Sequence, residues 1–99
     1  MIIEHALLQV KPGQAGSFRS AMAKARPLIA AQPGFQSIAV RESIENPDDF
    51  LLLVTWDNVE SHRDGFRKSP EYLEWRALLH DFYHPMPNVT YFGASIFDD

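Results

Sequence analysis

The segment FLLLVTW, residues 50–56, limits the fold more than any other feature, because nearly all of its residues are apolar. Side chains of a β-strand alternate between the two faces of a sheet, so both faces of this strand carry apolar groups. A sheet with helices on one face and water on the other shows alternating apolar and polar residues instead. We therefore expect an apolar layer to cover each face of the sheet that contains this strand.

The hydrophobic pattern divides the 99-residue chain into strands and helices. Branched and aromatic residues predict strands at IIEHALLQV, FQSIAVRES, FLLLVTW and NVTYFGASIF. Apolar residues at helical spacing predict a first helix within residues 14–32, which Pro27 should kink or end early. With a second helix before the last strand, the order predicts an α+β fold: the ferredoxin-like βαββαβ arrangement, a four-stranded antiparallel sheet with two helices on one face. The length fits a single domain over residues 1–99.

The second helix is predicted to be interrupted. Asp57, with Glu60 three residues later, resembles a capping box at its beginning. Gly65 weakens the helix. Ser69 as N-cap and Pro70 at the first helical position then restart it, because proline lacks only an N–H that would have no partner there. A helix broken in this way cannot press on a sheet along its whole length, and the gap leaves room for a ligand.

Apolar residues on both faces of the strands predict a homodimer. In the first strand Ile3 and Leu7 share one face, whereas Ile2, Leu8 and Val10 share the other. A monomer would expose one of these faces as a large apolar patch. Two copies stacked sheet to sheet would bury it in one isologous interface, so we expect an obligate homodimer with a barrel-like core.

Composition excludes several kinds of partner and site. The net charge of −4 and the absence of a run of Lys and Arg argue against binding to nucleic acid. The chain has no cysteine, which removes disulfides, thiol nucleophiles and thiolate metal sites. No segment approaches the ~20 apolar residues of a membrane helix, and the first residues do not resemble a signal peptide. We expect no membrane partner and a cytoplasmic location.

One family resemblance covers nearly the whole chain. It is carried by residues 51–89, LLLVTWDNVESHRDGFRKSPEYLEWRALLHDFYHPMPNV, by EHALLQVKPG at the start and by PGF in the middle. This pattern resembles the antibiotic biosynthesis monooxygenase domain family. The resemblance implies a dimeric α+β barrel. Characterised members of the family oxidise polycyclic phenols or quinols with molecular oxygen and no bound cofactor, or open the haem ring.

The chain departs from that family at the residues its active members tend to use, an asparagine on the first strand and a tryptophan early in the second helix. The VKPG turn places the asparagine position near His5, and counting from Trp56 places the tryptophan position near Phe66. The haem-degrading branch adds an iron-ligating histidine, and that position falls near Trp75 or Arg76. These departures argue against haem degradation and keep a non-catalytic role open.

His62 and His5 are the candidate catalytic bases. His62 shares one face of the second helix with Phe66, four residues later. His5 lies among apolar residues, in either the helix-covered layer or the dimer interface. A neutral imidazole near an apolar cavity suits removal of a phenolic or activated C–H proton, the step that makes an electron-rich carbanion reactive toward oxygen. The alternative for each is a hydrogen-bonded structural histidine.

The candidate substrate-binding residues are aromatic and apolar. Four residues at helical spacing form one stripe on the second helix: Tyr72, Trp75, Leu79 and Phe82. The simplest interpretation is that this stripe packs on the sheet. The part near the helix break, together with Phe66, predicts the wall of a pocket in which aromatic rings stack on a flat substrate. We predict that Leu79 also contributes to this pocket and that the end of the helix is core.

Charged candidates near this pocket are fewer. Arg67 is predicted to orient an anionic substrate, with a surface salt bridge as the alternative. His80 and His84 have the i,i+4 spacing of a helical metal site, but only two ligands are evident and Pro85 ends the helix. A favourable charge at the helix C-terminus is the preferred role for these histidines, and no metal site is predicted.

The leading functional hypothesis is a monooxygenase without metal, flavin or other cofactor, acting on a flat aromatic or quinol-type small molecule. One alternative is a non-catalytic small-molecule-binding dimer. Another is an isomerase or lyase on the same fold that uses His62 as base.

Overall fold

The computed structural model describes residues 1–97 of the chain. Its main elements follow the predicted order, and they are β1 Ile2–Gln9, α1 Ala15–Ala30, β2 Phe35–Glu42, β3 Asp49–Trp56, α2 Pro70–Leu79 and β4 Thr90–Phe92. The strands form one sheet in the order β2-β3-β1-β4, and all neighbouring strands are antiparallel. The predicted ferredoxin-like α+β fold is therefore confirmed.

The two helices cover one face of the sheet. In β3 every second residue is buried on this face, from Phe50 through Trp56. On α1 the buried stripe is the predicted one, Phe18, Met22, Ala25 and Ile29. Helix α1 also continues past Pro27 to Ala30. One core thus fills the space between the sheet and the helices.

The opposite face of the sheet has no covering element among residues 1–97, and it carries apolar side chains. Ile3 and Leu7 remain 38% and 41% exposed, and Phe92 of β4 is 55% exposed. Phe92 is directly paired with Ile3, so these side chains form part of one surface. We call this face the open face. Its composition agrees with the expectation that both faces of the sheet are apolar.

The second helix begins with a different cap from the one predicted. Asn58, not Asp57, caps it: the Asn58 Oδ1 atom accepts a hydrogen bond from the Ser61 backbone N–H at 2.9 Å. Asp57 instead accepts a hydrogen bond from the Gln36 side chain, and its own N–H donates to the Gly34 carbonyl. The capping-box prediction at Asp57 was wrong because these contacts tie Asp57 to the end of the sheet.

The predicted interruption of the second helix is present. A π-helical turn, Ser61–Gly65, is followed by a 3₁₀ turn, Phe66–Lys68, before α2 begins at Pro70. Ser69 caps α2 as predicted, since its side chain accepts from the Tyr72 N–H at 3.2 Å. The chain therefore changes helical geometry twice beside the sheet, and this turns His62 and Phe66 toward the interior.

The last strand is shorter than predicted. It pairs only with β1, and Phe92 already lies opposite Ile3. In this register only Gly93 could still lie opposite a residue of β1, Ile2, so the strand predicted to reach Phe97 would extend past the beginning of β1. Ile96 and Phe97, assigned to sheet faces by the sequence pattern, are 91% and 69% exposed outside the strand.

Within residues 1–97 there is also no helix long and apolar enough to cross a membrane.

Candidate functional site

A cavity of about 160 Å³ lies beneath the interruption of the second helix. Its walls come from β1, from the π-helical and 3₁₀ turns, from α2 and from the segment before β4. A larger groove of about 420 Å³ lies between α1 and the β2 edge of the sheet, but it is open and Arg19 and Glu42 at its rim pair with each other. The smaller cavity is the better site candidate because buried ionisable side chains line it.

Glu4 is the buried acid of this cavity. Even-numbered residues of β1 face the helices, so Glu4 lies in the core layer with Ala6 and Leu8 and is only 4% exposed. One carboxylate oxygen accepts a hydrogen bond from the Trp56 indole N–H at 2.9 Å. Burial raises the pKa of Glu4 to about 7, against the smaller opposing effects of that hydrogen bond and of the Arg67 charge.

His62 lies between Glu4 and Tyr91. Its Nε2 atom is 3.3 Å from the second carboxylate oxygen of Glu4, and its Nδ1 atom is 2.7 Å from the Tyr91 hydroxyl. Burial lowers the pKa of His62 to about 4, and the charge of Arg67 acts in the same direction. The imidazole is therefore neutral at pH 7, with one nitrogen that donates and one that accepts.

Trp56, Glu4, His62 and Tyr91 together form a row of polar groups: hydrogen bonds join Trp56 to Glu4 and His62 to Tyr91, and Glu4 and His62 lie within 3.3 Å of each other. With Glu4 ionised, His62 donates through Nε2 and accepts from Tyr91 through Nδ1. With Glu4 protonated, the carboxyl donates to Nε2 and the other nitrogen donates to Tyr91. Each protonation state of Glu4 is therefore matched by one tautomer of His62.

The structure places most of the predicted pocket residues at this cavity. Phe66 and Trp75 are 1% and 6% exposed, with ring centroids 5.4 Å apart in an edge-to-face arrangement. Tyr72 meets Phe66 at 5.2 Å in the same geometry. Leu79 and Arg67 also line the cavity, together with His62. The aromatic part of the site is therefore held by ring-to-ring contacts within the protein.

His5 is not part of this cavity. It pairs with Leu53 across β1 and β3 and with Thr90 across β1 and β4, on the open face of the sheet. Its ring contacts Phe92 edge to face, with centroids 5.6 Å apart. Because successive residues of a strand point to opposite faces, His5 and Glu4 lie on opposite sides of the sheet. The structure thus does not bring the two predicted bases together.

Arg67 stands at the mouth of the cavity. Its side chain is exposed, whereas Glu4 and His62 are buried. Burial raises the pKa of Glu4 and Tyr91 and lowers that of His62 and His80, and the positive charge of Arg67 acts to lower the pKa of all four groups. No carboxylate within residues 1–97 forms an ion pair with Arg67.

The two C-terminal histidines are separated by the end of the helix. His80 lines the cavity, and its ring lies 6.0 Å from that of Tyr72 and 5.7 Å from that of Tyr83. Burial lowers the pKa of His80, so it does not supply the predicted helix-terminal charge at neutral pH. His84 follows Tyr83, whose backbone is extended. Within the described part of the chain no group of three or more His, Cys, Asp or Glu residues could hold a metal.

Three residues of the site were not predicted from the sequence: Glu4, Trp56 and Tyr91. A signal for Glu4 was available, because it shares its strand face with Ala6 and Leu8, and a carboxylate in a buried apolar row is costly unless it has a function or a partner. No comparable signal marked Tyr91.

The fold is a ferredoxin-like sheet covered by two helices, and the interrupted second helix encloses an aromatic cavity that contains a buried acid and a histidine. The protein is therefore a small α+β protein with a candidate acid–base site. The family model described as antibiotic biosynthesis monooxygenase matches residues 1–78. The chain belongs to this family.

Individual relatives agree with that assignment. YczJ, an uncharacterized protein of Bacillus subtilis strain 168, is 41% identical over 92 residues, which cover 93% of this chain and 97% of the relative. A crystal structure of a family member from Bordetella bronchiseptica is 34% identical and has a TM-score of 0.91, covering 96% of this chain and 97% of the other.

The fold is also shared with a more distant protein. SnoaB of Streptomyces nogalater, described as a cofactor-independent oxygenase, has a TM-score of 0.84 at 18% identity, and the match covers 98% of this chain and 95% of that one. At this identity the likeness establishes the fold alone.

Proposed function

We propose that this protein is a cofactor-independent monooxygenase that inserts one oxygen atom of O₂ into a flat, quinol-type aromatic molecule. The observation that carries the proposal is the buried Glu4–His62 pair, with 3.3 Å between carboxylate oxygen and Nε2, in a cavity walled by Phe66 and Trp75. Family membership supports an oxygenase class, and the cofactor-independent chemistry described for SnoaB supports this type of reaction.

The first step is removal of a proton from the bound quinol. Both ring nitrogens of His62 already face protein groups, so His62 does not take the substrate proton directly. Glu4 lines the cavity, and its carboxylate can accept further hydrogen bonds beside the one from Trp56 and the close contact with His62. With a pKa of about 7 it is well matched to act as a base near neutral pH. His62 then positions Glu4 and shares its proton.

The remaining steps balance with O₂ as the only co-reactant. The quinol anion gives electrons to O₂, and a C–O bond forms at a ring carbon; one proton completes a hydroperoxide. A base then removes the hydrogen on that carbon while the O–O bond breaks and the distal oxygen leaves as water. The ring has lost two hydrogen atoms and gained one oxygen, so quinol and O₂ become hydroxyquinone and water.

An alternative is favoured by the same contacts. Because protein groups satisfy both nitrogens of His62, the histidine is also compatible with a structural role in a small-molecule-binding protein without turnover. A lyase or isomerase would use the Glu4–His62 pair without O₂. Product analysis under nitrogen identifies such a reaction, and binding without any turnover identifies the binding protein.

The proposal is tested by oxygen uptake with anaerobically reduced quinols. We expect the protein to raise uptake above the uncatalysed rate, and Glu4→Gln to lower kcat about 100-fold, the lower range for loss of a general base. The control is Glu60→Gln, which removes an exposed carboxylate outside the cavity. Equal uptake with and without the protein, over a panel of quinols, would rule the proposal out.

We further propose that the protein acts as a homodimer in which two open faces stack. The exposed Ile3, Leu7 and Phe92 on this face support the proposal, since a monomer would leave them in water. Sedimentation at micromolar concentration should give twice the 11.3 kDa mass of the chain. A single species at the chain mass would contradict it.

A further inference from the structure

We propose that the cavity selects a single-ring quinol that carries a carboxylate, with the ring between the aromatic walls, the carboxylate on Arg67 and a hydroxyl toward Glu4. This inference rests on the proposed function, because it names the substrate class of the same site. A single-ring substrate of this kind is distinct from the polycyclic molecules that the family resemblance implies.

The volume of the cavity limits the size of the ligand. Pockets that enclose drug-sized molecules measure roughly 300–1,000 Å³. The cavity here measures about 160 Å³. An engineered cavity of about 150 Å³ in another protein binds benzene. The cavity therefore accommodates one six-membered ring, and a second fused ring would have to extend past the mouth or displace the buried wall residues.

Those walls are not free to move apart. Phe66, Trp75 and Leu79 are 1%, 6% and 0% exposed, and they belong to the core cluster that joins α2 to the sheet. Phe66 also touches Trp56 and Tyr72 with ring centroids 6.2 Å and 5.2 Å away. Well-packed interiors resist a change of even one methylene, so enlarging this cavity by a ring would cost core contacts.

The positive charge of Arg67 favours a ligand with a carboxylate. Arg67 lines the cavity from its exposed side and has no ion-pair partner within residues 1–97. Lys68 beside it pairs with Asp64 at 3.6 Å and does not line the cavity. A guanidinium at the mouth of an apolar cavity, with no ion-pair partner among the described residues, offers a planar, two-pronged site for a carboxylate.

The depth of the two charged groups sets the orientation of the ligand. Glu4 lies inside, 4% exposed, and Arg67 lies at the exposed end. A ligand carboxylate next to Glu4 would place two buried like charges together, which is unfavourable. The ligand therefore enters with its hydroxyl leading and its carboxylate outermost.

Anaerobic calorimetric titration tests this inference with three matched probes. 2,5-Dihydroxybenzoate has one ring and a carboxylate, hydroquinone lacks the carboxylate, and 1,4-dihydroxy-2-naphthoate adds a fused ring. We expect the first to bind about tenfold more tightly than hydroquinone, the effect of one charge-assisted contact. We also expect it to bind more tightly than the naphthoate, which keeps the carboxylate but has a second ring that the cavity does not enclose. Tighter binding of the naphthoate would overturn the size argument.

Two variants test the role of Arg67. Arg67→Met should raise the Kd of 2,5-dihydroxybenzoate about tenfold and change that of hydroquinone less than about twofold. Lys68→Met, which removes the neighbouring surface charge, should change neither. If Arg67→Met raised the Kd of both probes equally, or left the Kd of 2,5-dihydroxybenzoate unchanged, Arg67 would not be the carboxylate-binding residue.

Oxygen uptake separates failure of this inference from failure of the proposed function. Uptake with the naphthoate but not with the benzoate would refute the single-ring class and leave the oxygenase intact. The expected binding order without any uptake would refute the oxygenase and leave the ligand class intact.

Discussion

Glu4 and Tyr91 lie directly opposite each other on β1 and β4, and His62 contacts both of them. One ring nitrogen faces the carboxylate and the other faces the phenol, so a single cross-strand pair holds both ends of the imidazole. The π-helical turn Ser61–Gly65 brings His62 over this pair. The orientation of the ring is therefore fixed by the sheet register rather than by the helix that carries it.

The rate of quinol oxidation should depend on pH through Glu4. Burial raises the pKa of Glu4 to about 7, so only a fraction of the protein has an ionised base below that pH. We expect kcat to rise with pH up to about 7 and then to level off. The rate of uncatalysed oxidation is measured and subtracted at each pH. Glu4→Gln should remove this limb of the profile. A limb of unchanged midpoint in that variant would assign it to another group.

Stability should also depend on pH through Glu4, with a sign opposite to that of an ordinary carboxylate. Between pH 4.5 and about 7 the unfolded chain loses the Glu4 proton while the folded chain keeps it, so this group lowers the free energy of unfolding as pH rises. Relative to wild type, Glu4→Gln should gain about 3 kcal/mol between these pH values.

His62 contributes the opposite slope to stability. Its folded pKa of about 4 lies below the ordinary 6.5, so the unfolded chain binds a proton first and stability falls as pH decreases from 6.5 to 4. In wild type the two slopes partly cancel, and in Glu4→Gln the His62 slope remains. Urea denaturation of both proteins at several pH values measures the difference. Parallel stability curves for the two proteins would contradict the buried, neutral pair.

The restart of the second helix depends on the Ser69 cap. The Ser69 side chain accepts from the Tyr72 N–H at 3.2 Å, and Ser69→Ala removes this bond, so the Tyr72 N–H keeps only the Ser69 backbone carbonyl as acceptor. We expect a loss of about 1 kcal/mol in the free energy of unfolding, read from chemical denaturation. Ser20→Ala, on the exposed side of α1, should change it by less than about 0.5 kcal/mol. Equal losses would show that the cap is not the cause.

The homodimer should depend on the open face and not on apolar exposure in general. Leu7→Lys places a charge on that face, where the side chain is 41% exposed. Leu73→Lys is the matched control, because Leu73 is 66% exposed on α2, on the other side of the sheet. Sedimentation should show dissociation only for Leu7→Lys. A dimer that survives this change, or that is lost equally in both variants, would place the interface elsewhere.

Much of the fold could be predicted from local sequence signals. Alternation along β1 assigned Ile3 and Leu7 to one face and Leu8 and Val10 to the other, and the structure agrees. The interruption before Ser69 followed from capping chemistry. The end of β4 could not be predicted in this way, because it depends on where β1 begins in the paired register.

The site was predictable only in part. Helical spacing placed His62 with Phe66, and both are buried beside the cavity. The roles of Glu4 and Tyr91 depend on long-range contacts: Tyr91 is 29 positions from His62, and Trp56 is 52 positions from Glu4. Such contacts leave no periodic pattern. The parity of Glu4 was visible, but parity alone does not say which partner satisfies a buried carboxylate.

The proposed reaction depends most directly on the ionisation of Glu4, and a carbon-13 NMR titration of the Glu side-chain carboxyls measures it. The resonance absent from Glu4→Gln identifies the group. We predict that it titrates near pH 7, well above an ordinary carboxyl at 4.5, because Glu4 is buried beside a neutral His62. A Glu4 titration at or below pH 4.5 would contradict the account, since a carboxylate of ordinary basicity would not hold the shared proton on which the proposed base depends.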